Sequence, residues 1–262
     1  VAITFTNKAA NEMLQRLKAE IPEFDANPYI STIHSFALRL MVENRELFSF
    51  KKGSTVIDED DSKEIITQII DKNNLDFISV NEAVNFINYS KENFQKDIIF
   101  YCYKDAHHIL LNDEKLIPYK KEVIEINNIR YKYFNEEYLN ELLTLFSEYQ
   151  KYLYESCLFD YADLILYPLL TMSLSIEVRE KIRNFFDYIL VDEYQDINNL
   201  QNQFLIMISN GANITAVGDE DQSIYGFRGA SIEPIMNFEN NFRNAKIIYM
   251  DQNYRSKIKI IN

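Results

Sequence analysis

Short apolar stretches alternate along this chain with stretches whose apolar residues recur every three or four positions. The apolar stretches, each of which predicts a β-strand, are residues 1–5, 29–33, 188–191, 213–217 and 246–250. Helix-compatible sequence, such as residues 200–208, separates them. Because strands that alternate with helices form parallel sheets, the predicted fold class is α/β. Ligands of such sheets bind where the strands end, so functional side chains are expected just after each strand.

The middle of the chain has a different character from its two ends. Over residues 58–155 charges are dense, Tyr and Phe are frequent, and the apolar spacing is helical nearly throughout. The clearest helix is predicted over residues 136–154, and its pattern indicates helix packing and no particular chemistry. We therefore predict an α/β domain formed by residues 1–50 and 160–262, which an all-helical insertion of residues 51–159 interrupts.

Two adjacent carboxylates, Asp192 and Glu193, follow the apolar stretch 189–191 directly. Carboxylates buried without a partner cost several kcal/mol, so their position at a strand tip needs a reason. An apolar strand that ends in Asp-Glu is the Walker B pattern, in which the Asp holds Mg²⁺ on nucleotide phosphates and the Glu deprotonates the attacking water. For Asp-Glu alone, a solvated acidic turn or helix N-terminus is the alternative.

The next predicted strand is followed by an unusual run at residues 217–230. Its three glycines permit tight turns, and Gln222 offers both a hydrogen-bond donor and an acceptor. Tyr225, Phe227 and Arg228 form an aromatic and cationic cluster of the kind that stacks on nucleic-acid bases. Taken alone, such a cluster also fits the edge of a hydrophobic core.

Composition limits the environment and the partners. The net charge is −13, from 27 basic and 40 acidic residues, which argues against nucleic-acid binding unless aromatic residues and a few cations line a narrow channel. No apolar run is long enough to cross a bilayer, and the two cysteines, Cys102 and Cys157, are isolated in sequence. We therefore expect a cytoplasmic protein in a reducing compartment, with no membrane partner.

Several segments together resemble the UvrD/Rep family of superfamily 1 DNA helicases. In family order, the matching segments are residues 4–10 for motif Ia, 32–35 for Ib, 192–196 for II, 217–230 for III and 252–256 for IV. Residues 159–164 also resemble the family where its chain returns from a helical insertion. The resemblance implies a RecA-like P-loop NTPase core, subdomain 1A, with the helical insertion as subdomain 1B.

The resemblance also implies a role for particular residues. Asp192 would bind Mg²⁺, and Glu193 would be the catalytic base. Gln222 and Arg255 would contact the γ-phosphate of ATP, and Tyr254 would stack on the adenine. The residues that would line the path of single-stranded DNA are Phe5, Asn7, His34, Tyr225, Phe227 and Arg228. For His34, a satisfied core position is the alternative.

The implied activity is that of an ATP- and Mg²⁺-dependent DNA helicase. It would move 3′ to 5′ along single-stranded DNA and unwind duplexes at single-strand/double-strand junctions, together with repair or replication proteins. The alternatives are the helicase portion of an AddA/RecB-type helicase-nuclease and a non-catalytic relative that binds nucleic acid or protein.

The chain departs from the family pattern in several places. Phe227 stands where the family usually has Trp, and Ile197 stands where it often has Thr. No G-x-x-x-x-G-K-[ST] loop and no motif V or VI is found in the 262 residues. We expect the chain to be part of a longer helicase and to be inactive alone, because the backbone donors and the Lys of that loop hold the phosphates.

Overall fold

The structure is a computed structural model, and it describes residues 1–21, 28–96, 98–99, 102–103, 136–209, 213–222, 232–242 and 244–252. Its strands are β1 Ala2–Thr4, β2 Ile30–Thr32, β3 Thr55–Val56, β4 Leu158–Phe159, β5 Tyr188–Val191 and β6 Asn213–Ala216. Its first helices are α1 Asn7–Glu20, α2 Ile33–Glu43, α3 Arg45–Phe48, α4 Glu59–Asn73, α5 Val80–Glu92 and α6 Glu136–Glu155. The later helices are α7 Asp163–Leu174, α8 Ile176–Arg183, α9 Asn199–Ser209, α10 Glu233–Met236 and α11 Phe238–Asn241. Short 3₁₀ turns cover Tyr194–Asp196 and Glu220–Gln222.

Four of the strands form one parallel sheet, in the order β2-β1-β5-β6. Ala2 pairs with Ile30 on one side of β1 and with Leu190 on the other, and Val191 of β5 pairs with Ala216 of β6. Helices separate these strands along the chain, as the alternating pattern predicts. The predicted α/β fold with a parallel sheet is confirmed.

The strand predicted at residues 246–250 is wrong. The structure describes these residues, and they pair with no strand among the described residues. Ile248, Tyr249 and Met250 are 74%, 84% and 85% exposed. An apolar run becomes a strand only where a neighbouring strand takes up its backbone hydrogen bonds, and this segment pairs with neither edge strand, β2 or β6, of the described sheet.

Threonine side chains cap the two helices that begin at the sheet edge. Thr6 Oγ1 accepts a hydrogen bond from the Ala9 amide at the start of α1, and Thr32 Oγ1 accepts one from the Ser35 amide at the start of α2. These bonds satisfy amide groups that the first turn of a helix leaves without a partner. The caps therefore fix where the chain turns from strand to helix at the edge where β1 and β2 end.

The described part of the predicted insertion 51–159 contains helices α4, α5 and α6 but also the short strands β3 and β4 near its two ends, so it is not all-helical. Helices α4, α5 and α6 pack on one another, and α4 and α5 begin with reciprocal capping boxes, at Asp58 with Asp61 and at Ser79 with Glu82. The two-stranded parallel ribbon β3–β4 joins the helical region to the rest. The buried apolar residues of both parts form one continuous cluster. No helix in the described ranges is both long and apolar enough to cross a membrane.

A buried ionic cluster connects the helical region to the loop before α7. The Lys91 side chain of α5 is fully buried, and its Nζ donates to Asp160 and, at 2.9 Å, to Asp163. Tyr103 donates its hydroxyl to Asp163, and Tyr149 of α6 donates to Asp160 at 3.2 Å. Burial and the neighbouring Asp160 raise the pKa of Asp163. The cluster holds residues 160–163 against α5 and α6.

Candidate functional site

The carboxyl ends of the central strands open into a large cavity of about 1030 Å³. One wall comes from the sheet edge, and the opposite wall comes from α4, α5, α6 and the loop before α7. The predicted site residues that line it are Phe5, Asn7, His34, Asp192 and Glu193. The structure therefore brings five residues from three separate sequence segments to one cavity, as the strand-end rule for parallel sheets predicts.

Asp192 and Glu193 stand at the tip of β5, with Asp192 half-buried and Glu193 exposed. The Asp192 amide donates to the Ile3 carbonyl at 2.9 Å, which continues the pairing of β5 with β1. Glu193 has a φ of 54°, a left-handed conformation that is uncommon for residues other than glycine. Such a conformation persists only where the surroundings enforce it. Here a 3₁₀ turn starts immediately afterwards, and Gln195 Nε2 donates to Glu193 Oε2 at 2.7 Å.

A third carboxylate, Asp196, lies in the same turn and lines the same cavity. Asp196 is buried, and its Oδ1 has no hydrogen-bond partner among the described residues. Burial, and secondarily the charge of Glu193, raises the pKa of Asp196. An oxygen atom that is buried without a donor at a cavity wall is placed to accept from a ligand or a bound water.

The oxygen-rich strand tip fits Mg²⁺ bound together with phosphates. The described residues contain no group of three or more His, Cys, Asp or Glu side chains that would enclose a metal by themselves. Mg²⁺ is usually held by one or two carboxylates, several waters and substrate phosphates, and does not need such an enclosure. Asp192 and Asp196, which line the same cavity, carry hard oxygen ligands of the required kind.

Across the cavity, His34 forms a ring stack with Tyr161, which sequence reasoning did not select. The ring centroids are 3.9 Å apart, and the planes are 23° from parallel. Burial lowers the pKa of His34 to about 4, so its ring is neutral at physiological pH. Tyr161 is 60% exposed. The only sequence signal for it was that residues 159–164 resemble the family segment after the insertion.

Not every predicted site residue joins this cavity in the described part of the chain. Gln222 ends the turn Glu220–Gln222, is exposed, and donates its side-chain amide to Asp219 instead of lining the cavity. The predicted residues that lie outside the described residues are Tyr225, Phe227, Arg228, Tyr254 and Arg255.

The described residues that line the cavity carry acidic side chains but no basic ones apart from His34. The acidic residues among the described lining are Asp58, Glu59, Glu92, Asp160, Asp192, Glu193 and Asp196, whereas that lining contains no Lys or Arg. Burial raises the pKa of Glu92, which favours its neutral form. A phosphate backbone would find no Lys or Arg on these described walls.

Comparison with known proteins gives consistent similarities. A family model described as the UvrD/REP helicase N-terminal domain matches residues 1–243. An ATP-dependent DNA helicase PcrA of Staphylococcus epidermidis is 31% identical over 263 residues, which cover 100% of this chain and 32% of the relative. A probable DNA helicase II homolog of Mycoplasma capricolum is 32% identical over 270 residues, which cover 100% of this chain and 33% of the relative. The chain thus spans about a third of the length of these curated relatives.

Proposed function

This chain belongs to the UvrD/REP helicase N-terminal domain family, and from that membership we propose that it is part of the ATP-hydrolysing motor of a DNA helicase. The observation that carries the proposal is the position of Asp192 and Glu193. Both stand at the carboxyl end of a central strand of a parallel sheet and face a cavity of about 1030 Å³. Carboxylates at this point of an α/β sheet suit phosphoryl transfer, in which positioning and electrostatic stabilisation supply most of the rate.

In the proposed mechanism Asp192 would be the residue that holds Mg²⁺. The ion, when bound, supplies positive charge that offsets the charge on the phosphate oxygens. Glu193 orients the attacking water and accepts its proton, and its exposed carboxylate on the cavity side suits that task. As their family motifs imply, Gln222 and Arg255 would contact the γ-phosphate, and Tyr254 would stack on the adenine.

The same cavity is proposed to hold single-stranded DNA on its aromatic wall. Phe5, His34 and Tyr161 line the cavity, where the rings of His34 and Tyr161 stack, and Asn7 belongs to the same lining. Base stacking on aromatic rings is tolerant of base sequence, because every base has a π face. Tyr225, Phe227 and Arg228 are proposed to extend the same path. The motor would then step 3′ to 5′ and unwind junctions during repair or replication.

The predicted division into two subdomains is retained in this proposal. Residues 1–50 and 160–262 form the motor subdomain 1A, and residues 51–159 form the insertion 1B. The ribbon β3–β4 lies close to both proposed boundaries, and the buried ionic cluster of Lys91 crosses from one part to the other. The insertion therefore serves as the second wall of the proposed DNA path.

The experiment that tests this function uses the protein expressed from its complete reading frame. We expect ATP hydrolysis that requires Mg²⁺ and rises when single-stranded DNA is added, together with displacement of a strand from a duplex with a 3′ overhang. Hydrolysis and displacement without DNA cleavage support the helicase, and added cleavage indicates the helicase-nuclease alternative. DNA binding without hydrolysis would favour the non-catalytic alternative and contradict the proposal.

A further inference from the structure

The side chain of Gln195 bridges two loops that follow neighbouring strands. It is 2% exposed, its Nε2 donates to Glu193 Oε2 at 2.7 Å, and its Oε1 accepts from the Asp219 backbone amide at 3.0 Å. The orientation of the side-chain amide is determined by chemistry, because a backbone N–H can only donate. The oxygen must therefore face Asp219, and the NH₂ group must face the carboxylate of Glu193.

The loop after β6 is shaped to admit this side chain. A Cβ on Gly218 would lie 2.8 Å from Gln195 Oε1 and 2.9 Å from Ile235 Cδ1, closer than real Cβ contacts. Only glycine therefore fits at residue 218 while Gln195 keeps its place. The backbone also joins the two loops, since the Tyr194 amide donates to the Val217 carbonyl at 2.9 Å. The bridge lies within a packed contact between the loops.

A carboxylate on a helix or a strand is held in place by that element, whereas Glu193 depends on its neighbours for its position. It is exposed, and its left-handed backbone conformation points it out of the path of β5. A general base works only when its reactive oxygen is held within hydrogen-bond reach of the proton that it takes. The bond from Gln195 engages Oε2 and leaves Oε1 available to a water.

We propose that Gln195 is a positioning residue that orients the catalytic base Glu193 and links it to the loop after β6, where Gln222 lies. This proposal rests on the proposed function. The link gives Asp219 and Glu193 a common partner, so a displacement of one loop is transmitted to the base in the other. Gln195 itself touches neither nucleotide nor DNA in this scheme.

Two substitutions at residue 195 separate positioning from simple packing. Gln195→Met keeps an unbranched side chain of similar length and removes both hydrogen bonds. Gln195→Glu keeps the shape and the acceptor toward Asp219 but sets a carboxylate against Glu193. Gln203→Met, on the half-buried part of α9 outside the cavity lining, is the matched control. Each variant is made in the protein expressed from its complete reading frame.

The measurements are kcat and KM for ATP at saturating single-stranded DNA, and thermal unfolding. We expect Gln195→Met to lower kcat about 10- to 100-fold with KM within about twofold, since general-base catalysis contributes about 10²- to 10⁴-fold. Gln195→Glu keeps the acceptor toward Asp219 but loses the donor toward Glu193, so its kcat should also fall while its KM stays within about twofold. A role in packing alone would lower the melting temperature without separating kcat from KM.

Each result decides between the two proposals. The positioning role is overturned if both Gln195 variants keep the kcat of the unmodified enzyme. It is also overturned if Gln203→Met reproduces the loss of kcat in Gln195→Met. If Gln195→Met fails to fold, the kcat and KM of Gln195→Glu decide alone. Glu193→Gln is measured in the same assays. If Glu193→Gln is inactive and the Gln195 variants are fully active, only the positioning role is wrong. If Glu193→Gln is fully active, the proposed function is wrong, and this inference is wrong with it.

Discussion

The imidazole of His34 lies against the ring of Tyr161, with centroids 3.9 Å apart and planes 23° from parallel. His34 stands in the first turn of α2, and Tyr161 stands in the loop before α7. Both line the cavity that Asp192 and Glu193 face. Because the His34 ring is neutral at physiological pH, the pair offers π faces to a ligand instead of positive charge.

Tyr161→Ala should weaken the binding of single-stranded DNA. Stacking contributes about 1 to 3 kcal/mol per base, so the affinity should fall roughly 5- to 150-fold, and nearly equally for all base sequences. The slope of affinity against salt should stay unchanged, since a phenol neutralises no phosphate. Fluorescence anisotropy with a labelled oligonucleotide measures both quantities. Tyr89→Ala, which removes an exposed ring outside the cavity lining, is the control. Equal affinities of the two variants would remove Tyr161 from the DNA path.

The stability of the protein should fall as the pH drops from about 6.5 to about 4, in part because of His34. Burial lowers the folded-state pKa of His34 from 6.5 to about 4. In that interval the unfolded chain binds a proton at residue 34 and the folded chain does not, so protonation favours unfolding. The contribution is fully present above pH 6.5. His34→Phe keeps a ring for the stack and removes the titration, so its Tm should fall less steeply over this interval. Parallel Tm curves for both proteins would contradict the buried, neutral state of His34.

Lys91→Ala should strongly destabilise the fold. It removes a fully buried ammonium and leaves Asp160 and Asp163 without their cation. Breaking a buried pair in this way costs about 3 to 5 kcal/mol. Lys63→Ala, which removes a solvent-exposed helix pair with Glu59, is the control and should change little. Denaturant unfolding measures both variants. The same midpoint for the two would mean that the cluster does not hold residues 160–163 in place.

The sequence was sufficient for features that depend on local pattern. The strand tip at Asp192 and Glu193 follows from an apolar run that ends in two carboxylates, and the structure has it there. Residues 246–250 show the limit of the same rule, because an apolar run does not reveal whether the segment will pair with a strand of the sheet. The stack of Tyr161 on His34 and the burial of Lys91 join segments far apart in sequence. No local spacing encodes such pairs.

The assignment of Glu193 as the catalytic base carries the whole account. Glu193→Gln preserves the size of the side chain and its reach into the cavity, and it removes the group that accepts the proton. Glu239→Gln, in the exposed helix α11, is the matched control. Both variants are prepared in the protein expressed from its complete reading frame, and nucleotide binding is measured beside hydrolysis.

The most direct measurement is the steady-state rate of ATP hydrolysis with saturating single-stranded DNA. We predict that Glu193→Gln binds Mg-ATP as tightly as the unmodified protein but hydrolyses it about 10² to 10⁴ times more slowly. Glu239→Gln should keep the unmodified rate. If Glu193→Gln hydrolysed ATP at the unmodified rate, Glu193 would not be the base, and the strand tip of β5 would not be the catalytic centre.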